Sequence, residues 1–258
     1  MSSFPNILFG RYGDEKVAQS TMIAQELGVF MVLPDGREFV HAKANTAAVL
    51  SIGAPIVQKA RAGTVVNIVA GSAAAIGATT VVLTMPATTV ATVVDQYAGG
   101  MLSINDATGE GYTYKIKSSA TAAADSTCSF TLEATDGIKV ALVSGTSECI
   151  IRENPYYHVL DRAAATASVG MPAGVPPVAV SAGFYCWLQR RGEATLLSAG
   201  TVTVAGRKFA CATTVAGFQA HNPTPADTTT APISDAWGDV LEAAAASTEY
   251  FLGYLTLR

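Results

Sequence analysis

Val29-Phe30-Met31-Val32-Leu33-Pro34-Asp35-Gly36-Arg37-Glu38-Phe39-Val40-His41 is the most decisive stretch of the chain. A β-preferring apolar run enters Pro-Asp-Gly, and a second apolar-rich run returns. Proline presets φ for the first turn position, aspartate can bond its own backbone, and glycine accepts a positive φ. The order predicts a hairpin, with antiparallel strands near 29–33 and 37–42 and a tight turn at Asp35 and Gly36.

Downstream, short strands continue. Thr64–Val69 and Thr79–Thr84 are rich in β-branched residues, which suit a pleated, half-buried surface. Small residues from Gly71 to Ala75 connect them, and Pro86, with no ladder donor, ends the second. Thr88-Thr89-Val90 resumes the pattern. Residues 97–117 read as a second hairpin, with 105–111 as its loop. Its return limb sets Tyr112, Tyr114 and Ile116 on one face and Thr113, Lys115 and Lys117 on the other. Ser129–Glu133 follows, then a turn at Asp136-Gly137 before Ile138-Lys139-Val140. Further strands are expected at Val178–Val180, Gly183–Leu188, Gly200–Val204, Phe209–Cys211 and Phe251–Leu257.

Upstream, residues 1–13 read as an apolar arm that Gly10 and Gly13 interrupt. Residues 14–27 read as a short helix: Asp14 caps it, Val17, Thr21 and Ala24 share a face, and Gly28 stops it. Pro155 and the Ala/Gly/Pro-rich stretch 163–177 mark a boundary. The expected organisation is an arm and hairpin at 1–45, a β-rich middle domain at 46–160, and a small β-barrel-like domain at 161–258. The fold class is mostly β: barrel or sandwich units of short strands, an extended N-terminal arm, and at most short helices.

The 258 residues are half apolar, but only 14% are charged, against roughly a quarter in an average soluble domain. Low surface charge suits a chain whose surface is covered by partners; a compact monomer with a Thr/Ser-rich surface is the competing account. The net charge of −4 and the lack of a basic run argue against nucleic-acid binding, which needs a Lys/Arg patch. Residues 62–94 carry no charge, yet Asn67, Gly71, Ser72, Gly77 and Pro86 interrupt them, so no membrane span is expected. No signal peptide is read at the start. Cys128, Cys149, Cys186 and Cys211 form no CxxC pair and are expected as free buried thiols in a reducing compartment.

Catalytic patterns are sparse. His41, His158 and His221 show no metal-ligand spacing, and alanine at any of them is expected to leave function largely intact. Gly109-Glu110-Gly111 has Tyr114 where a phosphate loop needs a third glycine. Asn105, Asp106 and Glu110 offer oxygen to a calcium ion, but a solvated hairpin tip is the favoured reading. No catalytic residue, metal ligand or cofactor is assigned, and the chain reads as a non-enzyme. A carbohydrate-binding module is a different class, with Trp187, Trp237 and the tyrosines as stacking platforms; a glycan hydrolase ranks below it.

Three stretches resemble structural proteins of tailed bacteriophages, especially phages of aquatic bacteria. They are Leu27–Ala42, with Leu33-Pro34-Asp35-Gly36-Arg37 at its centre; Tyr97–Ile116, with Gly99-Gly100 and Gly109-Glu110-Gly111; and Pro177–Gln189, with Tyr185-Cys186-Trp187-Leu188-Gln189. Gly238–Ala243 and Tyr250–Leu255 are similar to the tail of small head-decoration proteins. Cys186, Arg190 and Arg191 depart from the pattern. The resemblance implies a capsid decoration (cement) protein of the phage head, assembled in the host cytoplasm. Its partners would be its own copies, as a trimer, and the major capsid protein, with no nucleic acid and no membrane. A head-fibre or tail component is the alternative within that class. Phe4, Leu8, Phe9 and Tyr12 of the arm are the expected inter-subunit anchors, because large aromatics dominate interface energy.

Overall fold

The structure, a computed structural model, describes residues 7–21, 25–59, 65–87, 91–162, 170–199, 204–212, 217–221, 236–243 and 248–257. In chain order the strands are β1 (Ile7–Phe9), β2 (Phe30–Val32), β3 (Glu38–Lys43), β4 (Ile56–Val57), β5 (Ile68–Val69), β6 (Thr80–Thr84), β7 (Met101–Asp106), β8 (Thr113–Ser119), β9 (Thr127–Leu132), β10 (Glu148–Arg152), β11 (Leu160–Asp161), β12 (Pro172–Gly174), β13 (Tyr185–Leu197), β14 (Lys208–Cys211), β15 (Phe218–Ala220), β16 (Gly238–Glu242) and β17 (Tyr250–Thr256). The fold is almost all β, as expected. Thr64, Thr88-Thr89-Val90 and most of Gly200–Val204, read above as strand, lie outside the described residues.

The chain forms two compact units, residues 1–60 with 156–258, and residues 61–155. The segments expected as 1–45 and 161–258 thus share one unit, and the second unit closes at Pro155, within the span expected as 46–160.

The second unit is a six-stranded sheet in the order β5-β10-β7-β8-β9-β6, antiparallel throughout. Ala70 bridges Leu83 of β6, which joins the two ends of the sheet. The expected hairpin is present as β7 and β8, with Leu102 opposite Tyr114. Strand side chains alternate in the manner of a small filled barrel. Along β8, Tyr114 and Ile116 are buried while Thr113 and Lys117 are exposed. The inward set includes Leu83, Leu102, Ile104, Tyr114, Ile116, Phe130 and Ile151, and Tyr97 meets Phe130 edge-on at 5.6 Å. The β6 ladder reaches Met85, whose N–H donates to Ser126 O at 2.9 Å, and ends at Pro86.

In the first unit eight strands run in the order β1-β2-β3-β13-β17-β16-β14-β15. The 13 residues of β13 serve two partners: Tyr185–Arg191 pairs with β3, and Arg191–Leu197 pairs with β17. The burial of β13 records the change. Cys186–Arg190 is buried without a break, because both faces are covered there; beyond it Arg191, Glu193 and Thr195 are exposed while Gly192, Ala194 and Leu196 are buried. A bulge falls between Gln189 and Arg191. The Gln189 side-chain amide donates to Arg191 O at 3.2 Å and Glu193 O at 2.7 Å there, satisfying carbonyls where the ladder changes partner. Past β13, Ser198 bridges Phe218 of β15, so β13, β17, β16, β14 and β15 form a small barrel. Phe209, Phe218, Phe251 and Trp237 fill it edge-to-face at 5.2–6.4 Å. Gly238 is required in β16 because a Cβ would sit 1.9 Å from Tyr254 O.

The Pro-Asp-Gly hairpin is present as read. Phe30 pairs with Val40 and Val32 with Glu38, Gly36 N donates to Leu33 O at 2.9 Å, and Gly36 holds φ +82°. Two expectations are corrected. Among the described residues of 14–27 there is no α-helix: a single 3-10 turn, Asp14–Lys16, gives way to extended Val17. Gln19 then exchanges both backbone hydrogen bonds with Tyr185, at 3.0 and 2.8 Å, so a long-range bridge overrides the local pattern; Ala24 lies outside the described residues. Val178–Val180 is not a strand, and Val180 makes one isolated bridge to Leu50.

Candidate assembly surface and the cavity beneath the arm

The arm is an edge strand with two unlike faces. β1 lies parallel to β2, with Leu8 opposite Met31. Alternation turns Leu8 toward the small core of Met31, Leu33, Phe39 and Trp187, and Ile7 and Phe9 the other way. Phe9 is 87% exposed, Tyr12 64% and Ile7 47%. Of the four expected anchors, Leu8 is thus committed to its own unit, Phe9 and Tyr12 stand in solvent, and Phe4 lies outside the described residues. Ile7 belongs with Phe9 and Tyr12, although the sequence reading did not name it.

The arm is clamped beyond β1. Gly10 N donates to Val32 O at 3.0 Å. Asp14 Oδ2 accepts from Arg11 N at 2.8 Å, and Glu15 Oε2 from Gly13 N at 2.6 Å. Glu15 is buried, and its Oε1 lies 3.6 Å from Arg37 Nη2. Arg37 also holds Asp35 at 2.7 Å and lies over the Phe39 ring at 5.7 Å. One guanidinium therefore ties the hairpin turn to the arm.

Beneath the arm is a cavity of about 350 Å³, lined among others by Leu8, Val17, Met31, His41, Tyr185 and Trp187. β3 sends Phe39 and His41 to this side and Val40 and Ala42 to the opposite core. His41 pairs with Trp187 in the ladder, and its ring lies 5.1 Å from Trp187 and 5.8 Å from Tyr185. Nδ1 is 3.2 Å from Glu26 O. Burial, opposed by hydrogen bonds to the backbone of Glu26 and Gln25, holds the imidazole below its ordinary pKa, so the ring is neutral at pH 7. With Nδ1–H donating to Glu26 O, Nε2 is a lone-pair acceptor; it is buried and has no hydrogen-bond partner.

The other flagged residues are dispersed. His158 stacks on Tyr157 at 3.8 Å, and His221 donates its backbone N–H to Lys208 O. Asn105 Nδ2 donates to Asn67 Oδ1 at 2.7 Å, just ahead of β5, and Asp106 Oδ1 accepts from Ala107 N at 2.7 Å within its own loop. Among the described residues no three His, Cys, Asp or Glu side chains form a group that could hold a metal. Trp187 and Trp237 are buried and offer no open stacking face. All four cysteines are free and buried. Burial pushes Cys149 and Cys186 up to about 12 and Cys211 to about 11, which leaves them as inert thiols. Among the described residues no helix is long and apolar enough to cross a membrane.

The chain matches no known family, no curated protein and no solved structure.

Proposed function

We propose that this protein is a non-enzymatic structural subunit of a larger particle and, within that class, a decoration protein of a tailed-phage head. The observation that carries the reading is the arm: a clamped edge strand presents Ile7, Phe9 and Tyr12 to solvent. A strand edge flanked by large apolar side chains is a liability in a monomer and an asset in an interface. The low charge and the stretches resembling phage structural proteins support the same reading, and the buried tryptophans weigh against a carbohydrate module. The subunit assembles with its own copies, as a trimer, and docks on the major capsid protein, since closed symmetry is the usual solution for identical chains.

Light scattering on the purified protein, together with binding to heads stripped of decoration, tests it. The expected result is a trimer that binds heads. A monomer at all concentrations that leaves heads bare overturns the reading.

A further inference from the structure

We propose that the open edge of β1 pairs antiparallel with β1 of a second copy, Ile7 opposite the partner's Phe9 and Phe9 opposite the partner's Ile7. The proposal rests on the reading of the arm as an assembly surface and gives that surface its partner and register. The backbone carries it. In the β2–β3 ladder His41 N donates to Val29 O and Leu33 N to Arg37 O. Val29, Met31 and Leu33 therefore turn their polar groups to β3, and Phe30 and Val32 turn theirs to β1. Val32 O accepts from Gly10 N at 3.0 Å. With Leu8 opposite Met31 in the parallel register, Leu8 and Gly10 direct their groups at β2, and Ile7 and Phe9 direct N–H and C=O away from it. Among the described residues β1 has β2 as its only strand partner, so these donors and acceptors line an open edge. Their row stops after Phe9, because Arg11 N is committed to Asp14 Oδ2 at 2.8 Å and Arg11 O to Asp14 N at 3.1 Å. The far end of the same sheet offers no such edge, since Ser198 bridges Phe218 of β15.

Two residues with outward groups leave one two-fold antiparallel register that uses all of them. Ile7 against the partner's Phe9, repeated by symmetry, forms two hydrogen-bonded pairs about a central Leu8. The side chains agree with the backbone. Ile7 and Phe9 are exposed and leave the strand on one face, so each Ile7 meets the partner's Phe9 as a β-branched–aromatic pair. Ile7, Leu8 and Phe9 carry no charge, so two copies of the strand meet without repulsion. An isologous contact closes at two chains; in the particle it links subunits of neighbouring trimers.

Cysteine cross-linking of the full-length chain reads the register. Residues in a hydrogen-bonded antiparallel pair have Cα atoms about 5.5 Å apart, inside the disulfide range of roughly 4.4–6.8 Å. Ile7 to the partner's Ile7, or Phe9 to the partner's Phe9, is a diagonal of about 7–8 Å, outside it. Under mild oxidation a mixture of Ile7→Cys and Phe9→Cys chains is expected to give a disulfide-linked dimer, and either variant alone little or none. The native cysteines are buried and add no background. Phe9→Pro deletes an outward N–H that serves no bond within the chain, and proline is tolerated on a sheet edge. Its urea midpoint is expected to match that of Phe9→Ala. Its self-association is expected to fall about thirtyfold further, the value of the two hydrogen bonds it removes from the symmetric pair. The proposal is overturned if the mixture does not cross-link, if either variant cross-links alone as readily as the mixture, or if Phe9→Pro associates as well as Phe9→Ala. A chain that binds stripped heads yet fails these tests loses the strand pairing and keeps the decoration reading; one that passes them but leaves heads bare does the reverse.

Discussion

Replacing Phe9 with serine separates the arm's two roles, because the side chain contributes to one far more than to the other. Full burial of a phenylalanine is worth roughly 1.5–3 kcal/mol. Phe9 is 87% exposed, so the fold gains only about an eighth of that, roughly 0.2–0.4 kcal/mol. At an interface the same ring can bury about 150–250 Å², and truncating a central aromatic anchor costs about 2 kcal/mol or more. Two kcal/mol is about a thirtyfold weaker association. Phe9→Ser is thus expected to unfold in urea with a nearly unchanged midpoint, while sedimentation across a dilution series shows at least thirtyfold weaker self-association, about the 2 kcal/mol of one anchor. Tyr12→Ser should behave alike, and Leu8→Ser should do the reverse, since Leu8 packs on Met31, Leu33, Phe39 and Trp187. The reasoning is refuted if the full-length chain oligomerises and Phe9→Ser oligomerises equally well, or if Phe9→Ser costs more than about 1 kcal/mol of fold stability, beyond what an exposed surface site can contribute.

Gly36→Val is expected to cost about 1–2 kcal/mol, because Gly36 holds φ +82° and a β-branched residue resists the left-handed region; Gly36→Asn should cost less, and urea unfolding measures both. His41 makes stability pH-dependent: its folded pKa lies below the ordinary value, so the unfolded chain takes up a proton that the folded chain refuses. Its contribution is full above the ordinary histidine value of about 6.5 and is lost as pH falls from there toward the folded value; His41→Gln should flatten this part of the profile, and an unchanged slope would refute the assignment. The four thiols should resist an aromatic disulfide reagent at neutral pH and all react after denaturation, because burial suppresses the thiolate of Cys128, Cys149, Cys186 and Cys211; rapid labelling of the native chain would contradict it.

The hairpins were legible because their signals are local. Pro34-Asp35-Gly36 sets its own dihedrals, and the alternation along Thr113–Lys117 needs no partner to be seen, although Tyr112, read with the inward face, is exposed. Pro86 and Pro155 likewise act through the chain's own geometry. The misread elements are those decided at a distance. Val17 and Gln19 follow an acidic turn that looks helical, but Asp14 lies inside that turn and does not cap it, and Gln19 is held extended by Tyr185. β13 was read only to Leu188, because its second half takes its order from β17, and β10, central between β5 and β7, was missed although Ser144-Gly145 marks the turn before it. In the arm, apolar content was visible, but which residues face out was not: that depends on the register of β1 on β2. His41 carried no pattern at all. Its interest lies in a nitrogen without a partner, and only the assembled sheet reveals that.

The double partnership of β13 sets a timetable for synthesis. β3 is buried from Phe39 to Ala42, and the strand that covers its second edge begins at Tyr185. At 5–20 residues per second, the nascent β2–β3 hairpin waits roughly 7–30 s for about 140 further residues to emerge. Through that interval an apolar strand stands open along one side, a template for the wrong neighbour, while the contiguous segment 61–155 can finish its own sheet from nearby sequence. Crowded ribosomes on one message would hold many such open hairpins close together. Slower initiation or a holding chaperone should therefore raise the yield of native chain more than any added stability in the finished fold.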